Sequence, residues 1–335
     1  MEVSSERRAC LKAGGALLLS RVIATVSGLG ALAQARADAA SPPHASPRPS
    51  KVRGSLPGRQ VEVNGVRYHV GEQGSGEKLV LLLHGMPDTS GVWWQQVGPL
   101  VGAGYRVIAP DMLGYGETDK PQDPKRYGGE RIVADLVALM DALGLQKIDI
   151  VGHDWGAVAS WELVLTAPER FRRHVALSVG HPDAAMNASS VREAMTNWYM
   201  YLNTQEAAPE LYAANDGAFL KKILIPTHPD IDEVWSRLKD PEAMRAVVNW
   251  DRGNPMASSY LAAIKGEIPP RKCKVPTMGI WSSGDTYLLE APMKRSAASM
   301  AAPWRYERVE GGSHWLQLDR ANEVNRLLLA WFQGA

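Results

Sequence analysis

The chain has 335 residues, of which 45% are apolar and 22% charged, and its formal net charge is +1. That balance suits a globular protein with a substantial buried core, and it offers no electrostatic reason for nucleic acid or an anionic membrane surface to be a partner. The two cysteines, Cys10 and Cys273, form no C-x-x-C pair or Cys/His cluster, which argues against a structural zinc site.

Residues 1–38 read as an address. RRACLK at 7–12 precedes AGGALLLS and a Gly/Ala-rich run with small-residue cleavage options, a pattern that resembles a twin-arginine export signal. Export, to a periplasm or the exterior, is the expectation; an organellar transit peptide is the rival, and a mis-set start on a cytoplasmic protein is a third reading. Arg21 splits the apolar run below the ~20 residues a membrane span needs. Removal of Cys10 with the signal leaves Cys273 alone, so no intramolecular disulfide is expected. Residues 39–55 are proline-rich without an apolar period and read as a linker, so the folded part is expected from Leu56.

VEVNGVRYHV (61–70) is two alternating runs around Asn-Gly, a pair that accepts positive φ at both turn positions, and it predicts a hairpin. Short apolar runs follow at 78–84, 105–110, 147–152, 174–179, 275–280 and 304–309. Between them lie helical patterns such as RIVADLVALMDALG (131–144), which Gly144 closes as a C-terminal cap. Nearly all-apolar strands alternating with helices predict an α/β fold, a mostly parallel sheet covered on both faces. The alternation stops between His181 and Pro270, where Met, Trp and Tyr recur at helical spacing. This predicts a helical cap at 181–270 inserted between core segments 56–180 and 271–335.

VGHDWGA (151–157) places Asp154 between Gly152 and Gly156 at a strand-to-helix junction, with the spacing of the G-x-S-x-G nucleophile elbow. The plain alternative is a capping aspartate at a helix start. A carboxylate so placed is ionised at neutral pH and can displace a leaving group at saturated carbon, forming an alkyl ester. That chemistry points to epoxides or carbon–halogen bonds. The ester then needs a base, and His314 in GGSHWLQLD stands on a Gly-rich loop after a late strand. The acid that orients it should lie between the two in the chain; Asp285, directly after a strand, is preferred to Asp183. A tetrahedral intermediate requires donors, for which the backbone N–H groups of Trp155 and of Met86 in HGMP (84–87) are the candidates, with His84 holding that loop.

Together these motifs resemble the epoxide hydrolases of the α/β-hydrolase fold, over nearly all of residues 56–335. HGMPDTSGVW looks like their oxyanion loop, DMLGYGETDKP like their D-x-x-G-x-G-x-S-x-K-P turn, GHDWGA like their elbow and GGSHWLQLD like their histidine loop. The resemblance implies conversion of a small apolar epoxide and water to a vicinal diol through an ester on Asp154, without metal or organic cofactor. It also implies a cap tyrosine that donates to the epoxide oxygen. WYMYLNTQEAAPE (198–210) resembles the stretch that carries it and gives the role to Tyr199. The family's second tyrosine, in an N-W-Y-R stretch, is Asp251 here, with Tyr201 and Tyr260 as candidates to replace it. Haloalkane dehalogenases are the nearest alternative, although the asparagine with which they hold halide is Met86 in this chain; a non-catalytic ligand-binding protein is a third. Trp198, Tyr201, Trp250, Trp281 and Trp315 are expected to line an apolar pocket.

Overall fold

The computed structural model describes residues 54–185 and 195–334; the export-like signal and the linker, except for its last two residues, lie outside the described residues. The sheet begins with a hairpin of β1 (Gly58–Val63) and β2 (Val66–Gln73). Its turn residues Asn64 and Gly65 take φ of 51° and 74°, the conformation for which that pair is suited. There follow β3 (Lys78–Leu83), α1 (Trp94–Gly102), β4 (Tyr105–Pro110), α2 (Gly129–Ala142), β5 (Ile148–His153), α3 (Trp155–Thr166) and β6 (Phe171–Leu177). Between β6 and β7 (Thr277–Ser282) the described residues contain helices and no strand: α4 (Pro182–Ala185), α5 (Trp198–Asn203), α6 (Ala208–Phe219), α7 (Ile231–Leu238), α8 (Pro241–Gly253) and α9 (Met256–Ile264). The chain then adds α10 (Glu290–Arg295), β8 (Trp304–Val309), α11 (Leu316–Asp319) and α12 (Ala321–Gln333).

The eight strands lie in the order β1-β2-β4-β3-β5-β6-β7-β8. β2 joins β4 antiparallel and every pairing beyond it is parallel. β5 is buried along its whole length, as a strand covered on both faces must be. β6 starts three residues before the apolar run that predicts it, because the charged side chains at its entry have partners there. Arg172 pairs with Asp149 at 3.0 Å and also donates to the carbonyls of Lys147 and Leu79.

Topology positions the site. From β3 the chain moves to β4 on one side and returns to β5 on the other, so a crevice opens above the carboxyl ends of β3 and β5. The HGMP loop leaves β3 there, and Asp154 leaves β5. The turn at Asp154 has no room for side chains on its flanks. A Cβ on Gly152 would lie 2.4 Å from the Gly156 carbonyl oxygen, and one on Gly156 would lie 2.1 Å from that of Leu83. Gly156→Ala should therefore cost about 3 kcal/mol or more through overpacking against a rigid strand. A fall in the urea midpoint of unfolding at unchanged slope checks this; an unchanged midpoint would show that the elbow has slack.

Candidate active site

Asp154 sits at φ 54° and ψ −124°, a conformation side-chain-bearing residues rarely adopt and one that costs on the order of 1–3 kcal/mol. The turn projects its carboxyl group into the crevice. Oδ1 accepts the Met86 amide at 2.8 Å, and the Trp155 amide also bonds the carboxylate. Oδ2 lies 3.5 Å from His314 Nε2. His314 Nδ1 is 2.8 Å from Asp285 Oδ2, and Asp285 Oδ1 accepts the amides of Tyr287 and Leu288 at 2.9 Å each. Three loops, after β5, β7 and β8, thus meet in one line of carboxylate, imidazole and carboxylate. Asp183, the other acid considered, accepts the amide of Arg271 instead.

The neighbours hold this line from below and behind. His84 donates from Nδ1 to the Gly85 carbonyl and accepts the Met112 amide on Nε2, pinning the HGMP loop. His153 lies beneath His314 with ring centroids 4.6 Å apart. It accepts from Gln317 on Nδ1, so its Nε2–H donates to the His314 carbonyl. Burial, together with the nearby His314, lowers the pKa of His153 to about 4, leaving it neutral at physiological pH. Asp88, next in the chain after Pro87, accepts Trp315 Nε1 at 3.0 Å and pairs with His228 at 3.1 Å, tying the stretch between α6 and α7 to the histidine loop.

Charge in the line is asymmetric. Burial opposes the His314 imidazolium, but the charges of Asp285 and Asp154 and their hydrogen bonds raise its pKa to about 10. Burial likewise works against ionisation of Asp154, yet the bond and charge of His314, with His153 and the Trp155 amide, hold its pKa below the usual carboxylate range. At rest His314 is therefore charged between two carboxylates. Tyr199 faces them as a phenol, its pKa far above 10 because of burial and then the charge of Asp154.

Met86, Asp154, Tyr199, Tyr287, His314 and Trp315 bound a small pocket at the Asp154 carboxylate. A second cavity of about 910 Å³ continues from Asp154, Trp155 and Tyr199 between α3 and α9. The expected aromatic lining is corrected in four places. Trp198 and Tyr201 are each 44% exposed, because α5 turns Tyr199 and Asn203 inward and they fall on its outer side. Trp250 supports rather than lines the site, donating to the Leu113 carbonyl while its ring lies 5.4 Å from that of Trp155. Trp281 is buried behind it, donating to the Leu288 carbonyl under the Arg308 guanidinium. Tyr287 was missed; it lines the pocket 5.1 Å from the His314 ring, and its place two residues after Asp285 was the available signal. Among the described residues no group of three or more His, Cys, Asp or Glu side chains is placed to hold a metal ion, and no helix is long and apolar enough to cross a membrane.

A family model described as alpha/beta hydrolase fold matches residues 78–321. The chain belongs to that family. Two relatives within the α/β-hydrolases are the AB hydrolase superfamily protein YfhM of Bacillus subtilis, 28% identical, and epoxide hydrolase A of Mycobacterium tuberculosis, 29% identical. Each match covers 82% of this chain and 97% of the relative. Among solved structures, the epoxide hydrolase VrEH1 of Vigna radiata superposes with a TM-score of 0.69 at 29% identity, over 83% of this chain and 97% of that one. Within this α/β-hydrolase, Asp285→Asn removes a strong raising influence on His314. Its imidazole midpoint should then fall well below about 10, as NMR titration of the ring would detect. The stability tied to the raised value is fully present below 6.5 and is lost as pH climbs through about 10.

Proposed function

We propose that the protein is an epoxide hydrolase that turns an apolar epoxide into a vicinal diol through an ester on Asp154. The observation that carries this reading is the Asp154–His314–Asp285 line, with two backbone amides aimed at the same carboxylate. With Oδ1 held by the Met86 amide, Oδ2 is the oxygen free to attack a ring carbon. The carbon–oxygen bond breaks, and the released oxygen takes a proton from Tyr199, leaving a hydroxyalkyl ester.

Alkylation removes the negative charge of Asp154. One of the charges that keeps His314 protonated is lost with it, so the imidazolium gives up its proton to solvent and becomes a base at the stage that needs one. Oriented by Asp285, it takes a proton from water as that water attacks the ester carbonyl. The oxyanion then accepts from the Met86 and Trp155 amides, and its collapse releases the diol and restores the carboxylate. The cavity wall, with Val133, Val158, Met200 and Leu289, favours an apolar substrate. On this reading the helical segment between β6 and β7 acts as the cap that supplies Tyr199.

The test uses the full chain carrying His314→Gln, incubated with a panel of epoxides and haloalkanes and read by intact mass. Loss of the base strands the ester, so the expected gain is the mass of the whole epoxide, located on Asp154. A gain of the alkyl group alone with halide release would make the protein a dehalogenase, and no gain from either panel would favour ligand binding without turnover. With the base intact, Tyr199→Phe should slow ester formation on the order of 100-fold, whereas Asp285→Asn should slow ester breakdown.

A further inference from the structure

The cavity that continues from Asp154 is larger than an epoxide ring needs. At about 910 Å³ it lies at the upper end of what small-molecule sites enclose, and a small epoxide would leave most of its apolar wall against water. Its direction follows α3. Trp155, Val158, Glu162 and Thr166 all line it, at steps of three, four and four residues, which is one face of a helix. The cavity thus runs away from Asp154 along the length of that helix. Glu162 stands eight positions after Asp154, a rise of about 12 Å.

The interval between them is apolar. Val158 lies halfway along the α3 face, and Met256 and Ala263 of α9 line the same space. α9 reads MASSYLAAI, yet none of its residues is fully buried. Apolar surface of that kind gains from a hydrocarbon laid against it.

The far end is polar. Glu162 accepts both terminal nitrogens of Arg271, at 2.6 and 2.7 Å, and Asp183 accepts the Arg271 backbone amide at 2.9 Å. All three residues line the cavity, and the Glu162 and Arg271 side chains stay 26% and 32% exposed, so the pair is not sealed off. His181 adds no charge, because its Nδ1 accepts the Asp183 amide at 3.1 Å. Two carboxylates and one guanidinium give this end a net charge of −1. Arg271 is the one cation among the described residues that line the cavity, and Glu130 is a further carboxylate there. Such an end accepts hydrogen bonds from a ligand and repels an anion.

We infer that the cavity is a channel for an elongated, uncharged epoxide whose ring opens at Asp154, whose apolar body lies between α3 and α9, and whose far end, about 12 Å from the ring, carries a hydroxyl or N–H that donates to Glu162 or Asp183. This rests on the epoxide reading and names its substrate class. Glu162, Asp183 and Arg271 set specificity and touch none of the reacting atoms. An epoxide that ends in a carboxylate meets two like charges at close range and is rejected.

The experiment measures second-order rates of ester formation by intact mass, on the full chain carrying His314→Gln. The probes are terminal epoxides of increasing length that end in a methyl, a hydroxyl or a carboxylate. Rates should rise about 3-fold for each methylene the cavity buries. The hydroxyl series should peak where the hydroxyl stands about 12 Å from the ring. At that length the hydroxyl should be about 10-fold faster than the methyl, and the carboxylate about 100-fold slower than the hydroxyl. Adding Glu162→Gln should shrink both ratios, and Glu162→Asp should restore part of each. Adding Val158→Phe, halfway along the channel, should lower the ratio of long to short rates about 10-fold. Ratios are read within one variant, so a general loss of folded protein cancels. Rates that are flat with length, a carboxylate series as fast as the hydroxyl series, or ratios that neither substitution moves would each overturn the proposal while the epoxide reading stands. Absence of an adduct from every epoxide overturns that reading and this substrate class with it.

Discussion

The site depends on a steric constraint at one turn. Asp154 is held at positive φ between two glycines whose missing Cβ atoms let the elbow press against β3 and α3. Relaxing the turn would drop the carboxylate out of the crevice. With the turn in place, Oδ1 meets the Met86 amide and Oδ2 faces His314 without any adjustment of either loop. The HGMP loop approaches as closely: a Cβ on Gly85 would lie 2.3 Å from Asp154 Oδ1. The backbone strain of the elbow is offset by the sheet it is anchored to, and positioning is done before any ligand arrives.

Electrostatics build on that geometry. His314 between Asp154 and Asp285 is a charged imidazole whose basicity is governed by the state of the aspartate in front of it. In the proposed reaction the same event that creates the ester therefore prepares the base that removes it. Burial makes these couplings strong, since little water screens them.

The helices between β6 and β7 are fastened to the core by polar contacts at the site itself. His228 bonds Asp88, which also holds Trp315 beside His314. Trp250 donates to the Leu113 carbonyl and packs on Trp155. Tyr287 donates from its hydroxyl to the Leu224 carbonyl, crossing from the β7 loop to this segment. Each of these residues is one neighbour removed from a group assigned a chemical role, so the wall over the pocket and the reacting groups are set by common contacts.

Much of this was legible in the chain. The alternation of apolar runs and helical patterns specifies a covered parallel sheet, because local periodicity decides which faces are buried, and Asn64-Gly65 specifies the hairpin turn by conformational preference. The spacing of Gly152, Asp154 and Gly156, with Asp285 and His314 following in order, marks the groups that converge, because each sits on a loop at the same end of a strand. Pocket walls were not legible in this way. Aromatic content singled out Trp198, Tyr201, Trp250 and Trp281, yet which face of a helix or strand meets the cavity depends on how elements pack, and packing sends two of them outward and two behind the site. The buried Asp251, with one oxygen lacking a hydrogen-bond partner, belongs to the same class. Sequence marks an aspartate among tryptophan and arginine, but its missing partner exists only because α5, α6 and α8 enclose it and turn Arg252 away. Sequence by itself determined the fold class and the order of the chemical groups, since both follow from local pattern. Tertiary structure alone decided which surfaces bound the cavity and which charges are paired, because burial and the fields of other groups are properties of distance in space.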